Sequence, residues 1–438
     1  MVGELKMKKY IFNSLIAATI LFAASCKPEI DSPAGTTAGQ ANFSKYIAVG
    51  NSLTSGYADN GLYLEGQKVA YPNLIADKMK SVGGGSFTSP FFTDAQASGS
   101  GYLQLSALVN GVPTISQVAG TAWRNAPTNT LLTKYSGEIQ NLGIPGMRLD
   151  LAFDPTFTFS AANTYFERLL TDAQVGKTNY SQFIQGRNHT FFSLWLGNND
   201  VLGYATNGGV TTDATNRLTD KTSFATAYSA MLSILTAAGQ KGVVATIPDV
   251  TAIPYFNTVT IPALLTAAKL PLTTPIYIQT AGGARAATSA DLFTLSFQTA
   301  APLLLGKPNG VGAPYGFHPA NPIESKWVLD KDEVAQVKDY VLSYNNTIKS
   351  LANSKGIAVA DAYTFLNQVN TPQGILINGV NITSAFISGG AFSLDGVHLT
   401  PRGNAAVANL FINAINNKYG STIPIVDVSE YRGTKFPN

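Results

Sequence analysis

Four short apolar runs are spaced widely along the chain: Tyr46 to Val49, Phe191 to Leu196, Val243 to Ile247 and Ile357 to Ala360. Each ends at a turn or a polar residue, the pattern of a strand buried on both faces rather than one with a wet side. Helix-like stretches lie between and after them, at Tyr71 to Lys80, Phe224 to Ala238, Lys331 to Ser354 and Arg402 to Tyr419. Strands alternating with helices predict an open parallel sheet covered by helices on both faces. Two long stretches break this rhythm. Gly61 to about Glu138 is heavy in Gly, Ser, Thr and aromatic residues, and Thr251 to about Asp330 mixes Pro, Ala, Leu and Thr with Tyr and Phe. Loops of that length rarely lack structure of their own, so 61–138 and 251–330 read as partly structured insertions around one end of the sheet. The Ala-rich part of the second, Leu264 to Ala287, is expected to be helical.

The N-terminus follows a different pattern. Met7-Lys8-Lys9 is a short basic region, and Ile11 to Ala24 is a mostly apolar run of signal-peptide length, too short for a comfortable membrane span. It closes on Ala23-Ala24-Ser25-Cys26, which resembles the lipobox of bacterial lipoprotein signal peptides, with Ala23 where Leu is commonest. That resemblance implies a signal peptide over 1–25, a lipid on Cys26, and an exported protein anchored in a membrane, periplasmic or at the outer-membrane or cell surface. The acidic residues of Lys27-Pro28-Glu29-Ile30-Asp31 are similar to surface-export signals of Bacteroidetes lipoproteins. Residues 26–42, rich in Pro, Gly, Thr, Ser and Ala, read as a flexible tether, with the folded domain expected over 43–438.

Composition removes several function classes. Charged residues make up only 13% of the 438, about half of the usual ~25%, and the net charge is +3. No Lys/Arg stripe is present to neutralise phosphates, so a nucleic-acid partner is not expected. Cys26 is the only cysteine, which leaves the exported domain without a disulfide or a thiolate. The three histidines, His189, His318 and His398, stand at no metal-ligand spacing, which argues against a zinc or haem enzyme.

The scarcity of histidine concentrates the chemistry. In Leu394-Asp395-Gly396-Val397-His398-Leu399-Thr400-Pro401 a carboxylate precedes a histidine by three residues, on a loop entering a helix. Asp395 is placed to accept the His398 Nδ1 proton, which leaves Nε2 as a base. Such a pair needs a nucleophile. Ser52, in Gly50-Asn51-Ser52-Leu53-Thr54, follows the first predicted strand at the edge where α/β sheets bind their ligands. The developing oxyanion needs donors: the Ser52 N–H itself, Gly146 in Asn141-Leu142-Gly143-Ile144-Pro145-Gly146, and the Asn199 amide in Gly197-Asn198-Asn199-Asp200. Taken singly, each has a plainer reading. A serine after a strand also caps helices, an Asp before a His also makes a turn, and an Asn-rich tetrapeptide also ends a strand. Their joint occurrence, in this order, favours catalysis. His189 and His318 read as structural, although the place of His318 in the second insertion leaves a cleft-lining role open. Asp249, after the third strand, reads as fixing a loop.

These four blocks resemble the motifs of the SGNH, or GDSL, hydrolase family: G-D-S-L, a block II glycine, G-x-N-D and D-x-x-H. The resemblance spans about 45 to 418 without the insertions. It implies a flavodoxin-like three-layer α/β/α fold with a parallel central sheet, and a serine esterase or acylhydrolase needing no cofactor or metal. Carried over, Ser52 is the nucleophile, Ser52, Gly146 and Asn199 form the oxyanion hole, His398 is the base and Asp395 orients it. Asn51 departs from the family's Asp. An amide keeps hydrogen bonds to neighbouring backbone but adds no charge, so local geometry is expected to survive. The substrate implied is a lipid or acylated-carbohydrate ester, with a slight lean toward acyl lipids, and oligomeric state is left open. The rival reading is a non-catalytic surface lipoprotein that keeps the fold as a binding module.

Overall fold

The computed structural model describes residues 35–109 and 112–437, and Thr37–Asn438 forms one compact unit. Its centre is a five-stranded sheet of β1 (Tyr46–Gly50), β2 (Asn141–Gly143), β3 (Phe191–Trp195), β4 (Lys241–Ala245) and β5 (Ala358–Ala360), paired throughout in parallel. The spatial order is β2-β1-β3-β4-β5, the flavodoxin-like arrangement. β1 and β3 are buried along their whole length, as strands covered on both faces must be. The one hydroxyl inside β3, Ser193, meets the Tyr46 hydroxyl of β1 at 2.7 Å, so its burial leaves no polar group unpaired.

Helices close both faces. α2 (Tyr71–Met79) packs against α7 (Pro401–Tyr419) on one side, while α5 (Lys221–Leu235) packs against α6 (Lys331–Ser354) on the other. Their ends follow local chemistry. Asp330 and Glu333 form a reciprocal capping box at the start of α6. Thr400 caps α7, Pro401 occupies its first turn, and Gly420 ends it in the left-handed conformation. α5 begins at Lys221, earlier than its apolar pattern implied, because the Asp220 carboxylate accepts from the Ser223 N–H at 2.9 Å.

Three expectations need correction. The four apolar runs leave out β2, a three-residue edge strand without a β-branched residue, too short to register as such a run. Leu264 to Ala287 is not one helix. Helix Ile261–Ala267 ends before Lys269, whose φ of 57° is left-handed, and Tyr277–Thr280 then pairs with Gly283–Ala286 as a hairpin. Pro271 and Pro275 cannot continue a helix, and Gly282-Gly283 supplies the turn. Packing also begins ahead of Phe43: the Gln40 N–H donates to Tyr419 O at 2.8 Å, and the Thr422 N–H to Thr37 O at 3.0 Å.

The two irregular stretches hold structure of their own. In the first, Gly101–Val109 and Val112–Ala119 form a hairpin with a bulge between Leu105 and Ala107. The second builds a separate core of Leu264, Leu265, Ile278, Phe293 and Phe297. It is pinned by Arg285, bidentate to Asp291 at 2.6 and 2.8 Å, and Asp291 also accepts the Lys331 N–H at the start of α6. No helix among the described residues is long and apolar enough to cross a membrane.

Candidate active site

Parallel pairing sets the strand ends level. Gly50 of β1 stands opposite Gly143 of β2 and Trp195 of β3, so the chain leaves all three strands at one sheet edge. β1 has β2 on one side and β3 on the other, which makes it the switch point where strand order reverses and a crevice must open. Gly50 permits the crowding there: a Cβ would lie 2.0 Å from Thr54 Oγ1 and 2.9 Å from Trp195 O.

Ser52 opens a single helical turn, α1 (Ser52–Ser55). The cap of that turn is Asn51, whose Oδ1 accepts the Leu53 N–H at 3.2 Å. With capping done by its neighbour, the Ser52 hydroxyl is free to meet His398 Nε2 at 2.8 Å. His398 Nδ1 in turn faces Asp395 Oδ2 at 2.9 Å. The Asp395 carboxylate also accepts the N–H groups of Val397 (2.9 Å), His398 (2.8 Å) and Asn60 (2.8 Å) and the Ser393 hydroxyl (3.1 Å). Burial alone would raise its pKa. The adjoining His398 and these donors outweigh burial and hold the carboxyl well below the usual carboxylate range. The Tyr57 ring lies 4.8 Å from the imidazole, centroid to centroid, and closes one side of it.

Asn199 opens helix α4 (Asn199–Thr206) and lines one small pocket with Ser52 and His398. One hydrogen of its Nδ2 goes to Met147 O at 2.9 Å, which fixes the amide and leaves the second hydrogen for a ligand. Gly146 is exposed on the loop after β2 with φ of 80°, a backbone setting that favours glycine, and its N–H has no partner among the described residues. Three of the candidate residues are thus joined by direct hydrogen bonds, and the two donors come off the same sheet edge. Cys26 lies outside the described residues.

The other candidates take no part in this hydrogen-bonded set. His189 is buried between the carbonyls of Arg187 and Leu235, at 2.9 Å from each. His318 is exposed and accepts the Ala320 N–H, and Asp249 caps a short turn through Thr251.

The GDSL-like lipase/acylhydrolase family matches residues 46–411, most of the chain. The chain belongs to the GDSL-like lipase/acylhydrolase family. Ester hydrolysis is the general chemistry that this membership supports. No curated protein matches the chain. Among solved structures, it is similar to LAE5, an alpha/beta hydrolase enzyme from the metagenome of Lake Arreo, Spain, at 12% identity, 86% coverage of this chain, 96% of that one, and a TM-score of 0.37. It is also similar to an extracellular lipase from Streptomyces rimosus, at 12% identity, 85% and 98% coverage, and a TM-score of 0.32.

Several residues that support the site of this GDSL-family chain gave little or no signal in sequence. Tyr180, which opens helix α3 (Tyr180–Gln185), is buried behind Gly50, with its hydroxyl accepting the Gly50 N–H at 3.1 Å and donating to Leu142 O at 2.6 Å. Asn141 bridges β2 to α1 through Thr54 O at 2.9 Å. Arg148, 1% exposed, donates to Asn199 O at 2.8 Å, to Thr215 O, to Thr219 and to Asp150. Asp200 beside it accepts the Leu149 N–H at 2.8 Å and the Thr219 hydroxyl at 2.7 Å, and its pKa is pushed up to about 6 by burial, against the pull of Arg148. Together they lock the block II loop to the start of α4. Asp59 and Asn60, both with positive φ, form a tight turn whose Asp59 carboxylate accepts the Leu394 N–H while the Asn60 N–H reaches Asp395. The Asp-Asn-Gly sequence of residues 59–61 is a turn signal that could have marked it.

Proposed function

We propose that this protein is a serine esterase that cleaves carboxylic esters through an acyl-enzyme intermediate. The observation that carries this reading is the unbroken chain from Ser52 Oγ to His398 Nε2 and from His398 Nδ1 to Asp395. Ser52 Oγ attacks the ester carbonyl as His398 takes its proton. Negative charge on the carbonyl oxygen is met by the N–H groups of Ser52 and Gly146 and by the Asn199 amide. The carbon–alcohol bond then breaks, and His398 returns the proton to the leaving alcohol. Water, deprotonated by the same histidine, hydrolyses the acyl-serine and regenerates Ser52. Asp395 stays ionised and holds the imidazole in the tautomer with its proton on Nδ1. No step calls on a metal or cofactor.

The substrate is the ester of a lipid or an acylated carbohydrate. Anchoring through Cys26 in a membrane, after export, rests on the basic start, the apolar run and the small residues before the cysteine. A mass shift of the precursor under globomycin supports that anchor, and an unmodified mature Cys26 removes it. The enzymatic reading is tested with p-nitrophenyl esters from acetate to palmitate on residues 37–438, with Ser52→Ala alongside. Turnover and fluorophosphonate labelling, both lost in Ser52→Ala, are the expected result. Neither appearing in the wild type would make the protein a binding module instead.

A further inference from the structure

Two cavities meet at His398, and they differ in size by more than tenfold. A pocket of about 40 Å³ is bounded by Ser52, Asn199 and His398 and walled by Leu53, Leu202, Pro248, Val250, Ile253 and Val397. Pro248, Val250 and Ile253 belong to the buried core, so the far wall is closed. On the Asp395 side of the histidine lies a groove of about 570 Å³, lined by Leu103, Ile115, Tyr255, Leu295 and Phe386 with Asp395 and His398.

From these observations we infer that the small pocket is the acyl subsite, that it takes an acyl group of two or three carbons, and that the groove takes a large alcohol moiety. The inference rests on the serine-esterase reading and deepens it. In the tetrahedral intermediate the carbonyl oxygen faces Asn199, and the leaving oxygen must lie within reach of His398 Nε2, which protonates it. The groove follows the histidine and Asp395, and so receives the alcohol; the acyl group is left with the pocket beside Ser52 and Asn199. One water-sized group needs about 10–15 Å³ on this measure, so 40 Å³ holds about three. Selection against added methylenes in a closed apolar pocket is commonly about 10–200-fold per step.

The test compares p-nitrophenyl acetate, butyrate and octanoate, then a mirrored pair of alkyl esters, octyl acetate and methyl octanoate, followed by pH-stat. Two variants widen the closed wall, Ile253→Ala and Val250→Ala, the second covering any folding defect in the first. Wild-type kcat/KM is expected to be at least ~100-fold higher for the acetate than for the octanoate, with octyl acetate far ahead of methyl octanoate. Widening raises the butyrate-to-acetate ratio at least ~10-fold. Octanoate turned over as well as acetate, or methyl octanoate preferred, would assign the acyl chain to the groove and overturn the inference while leaving the esterase intact. A wild type that is silent on every ester and takes no fluorophosphonate label would overturn the esterase itself, and the subsite with it.

Discussion

Asp395→Asn separates the two tasks of the buried carboxylate. The substitution keeps one oxygen and replaces the other with an NH2 group. With the oxygen toward the Val397 and His398 N–H groups, the NH2 faces His398 Nδ1 and the Asn60 N–H, two donors in the native arrangement. His398 answers by carrying its proton on Nε2, which then points at Ser52 Oγ as a donor and cannot act as a base. Loss of the correct tautomer at unchanged geometry lowers kcat by about 10⁴-fold, with KM little altered. The Asn60 N–H loses a charge-assisted partner, worth roughly 1.5–3 kcal/mol. The sign of the pH dependence follows from the depressed pKa. Ionised Asp395 stabilises the fold at pH above its unfolded value of about 3.9, and that stability is lost as pH falls through the folded value. The stability gap between wild type and variant, from urea unfolding, is therefore full at pH 7 and closes below about pH 4. A kcat loss under tenfold would refute the claim that Asp395 sets the tautomer. A gap constant from pH 7 to pH 3 would refute the linkage.

Three further outcomes follow from the same geometry. Asn199→Ala removes one oxyanion donor and lowers kcat by about 10²–10³-fold with KM nearly constant; a change confined to KM would remove Asn199 from the oxyanion hole. Tyr180→Phe removes the buried hydroxyl that donates to Leu142 O and costs about 0.5–1.5 kcal/mol, read as a lower urea midpoint at unchanged slope; an unmoved midpoint would mean that the hydroxyl contributes nothing. Glu333, its pKa pushed up to about 7 by burial and then by its neighbours Asp330 and Asp291, contributes stability below its unfolded value that is lost as pH rises through 7. Glu333→Gln keeps the capping acceptor and is expected to melt higher than the wild type at pH 8 with the advantage shrinking toward pH 5, and the same difference at both values would contradict the shift.

The strands that carry the site were legible because burial on both faces leaves a short, mostly apolar run, as in Phe191 to Trp195, where only Ser193 interrupts it. Asn141–Gly143 escaped because an edge strand of three residues needs no such run; its place is fixed by pairing to β1 and by the Asn141 amide. The Asp395–His398 link was legible because i and i+3 on one loop is a local relation. The buried bond network around Arg148 was not, since it joins residues 148, 199, 215 and 219, whose common position appears only once the sheet has formed. Leu264 to Ala287 was misread for the opposite reason: alanine content favours a helix locally, but two prolines and a glycine pair interrupt it.

The division of labour in the fold explains why chemistry could be read further than specificity. Ser52, Gly146 and Asn199 hang from strand ends that parallel pairing holds level, and any sequence that keeps those strands buried keeps their spacing. Asn51 shows how little that edge depends on the charge of the residue before the serine, because capping α1 requires only an acceptor oxygen. The walls of the large groove have another origin. Leu103 and Ile115 come from the hairpin of the first insertion, Leu295 from the second and Phe386 from the loop before Asp395. Leu103, Leu105 and Ala107 alternate with Gln104 and Ser106, which marks a half-buried strand but does not announce its partner. Their meeting is a product of tertiary packing, in which Leu105, Ile387 and Leu394 form a small core under the hairpin and so carry Leu103 and Ile115 over His398. Substitutions in that small core should therefore change which alcohol is accepted while leaving acylation of Ser52 by a small aryl acetate intact.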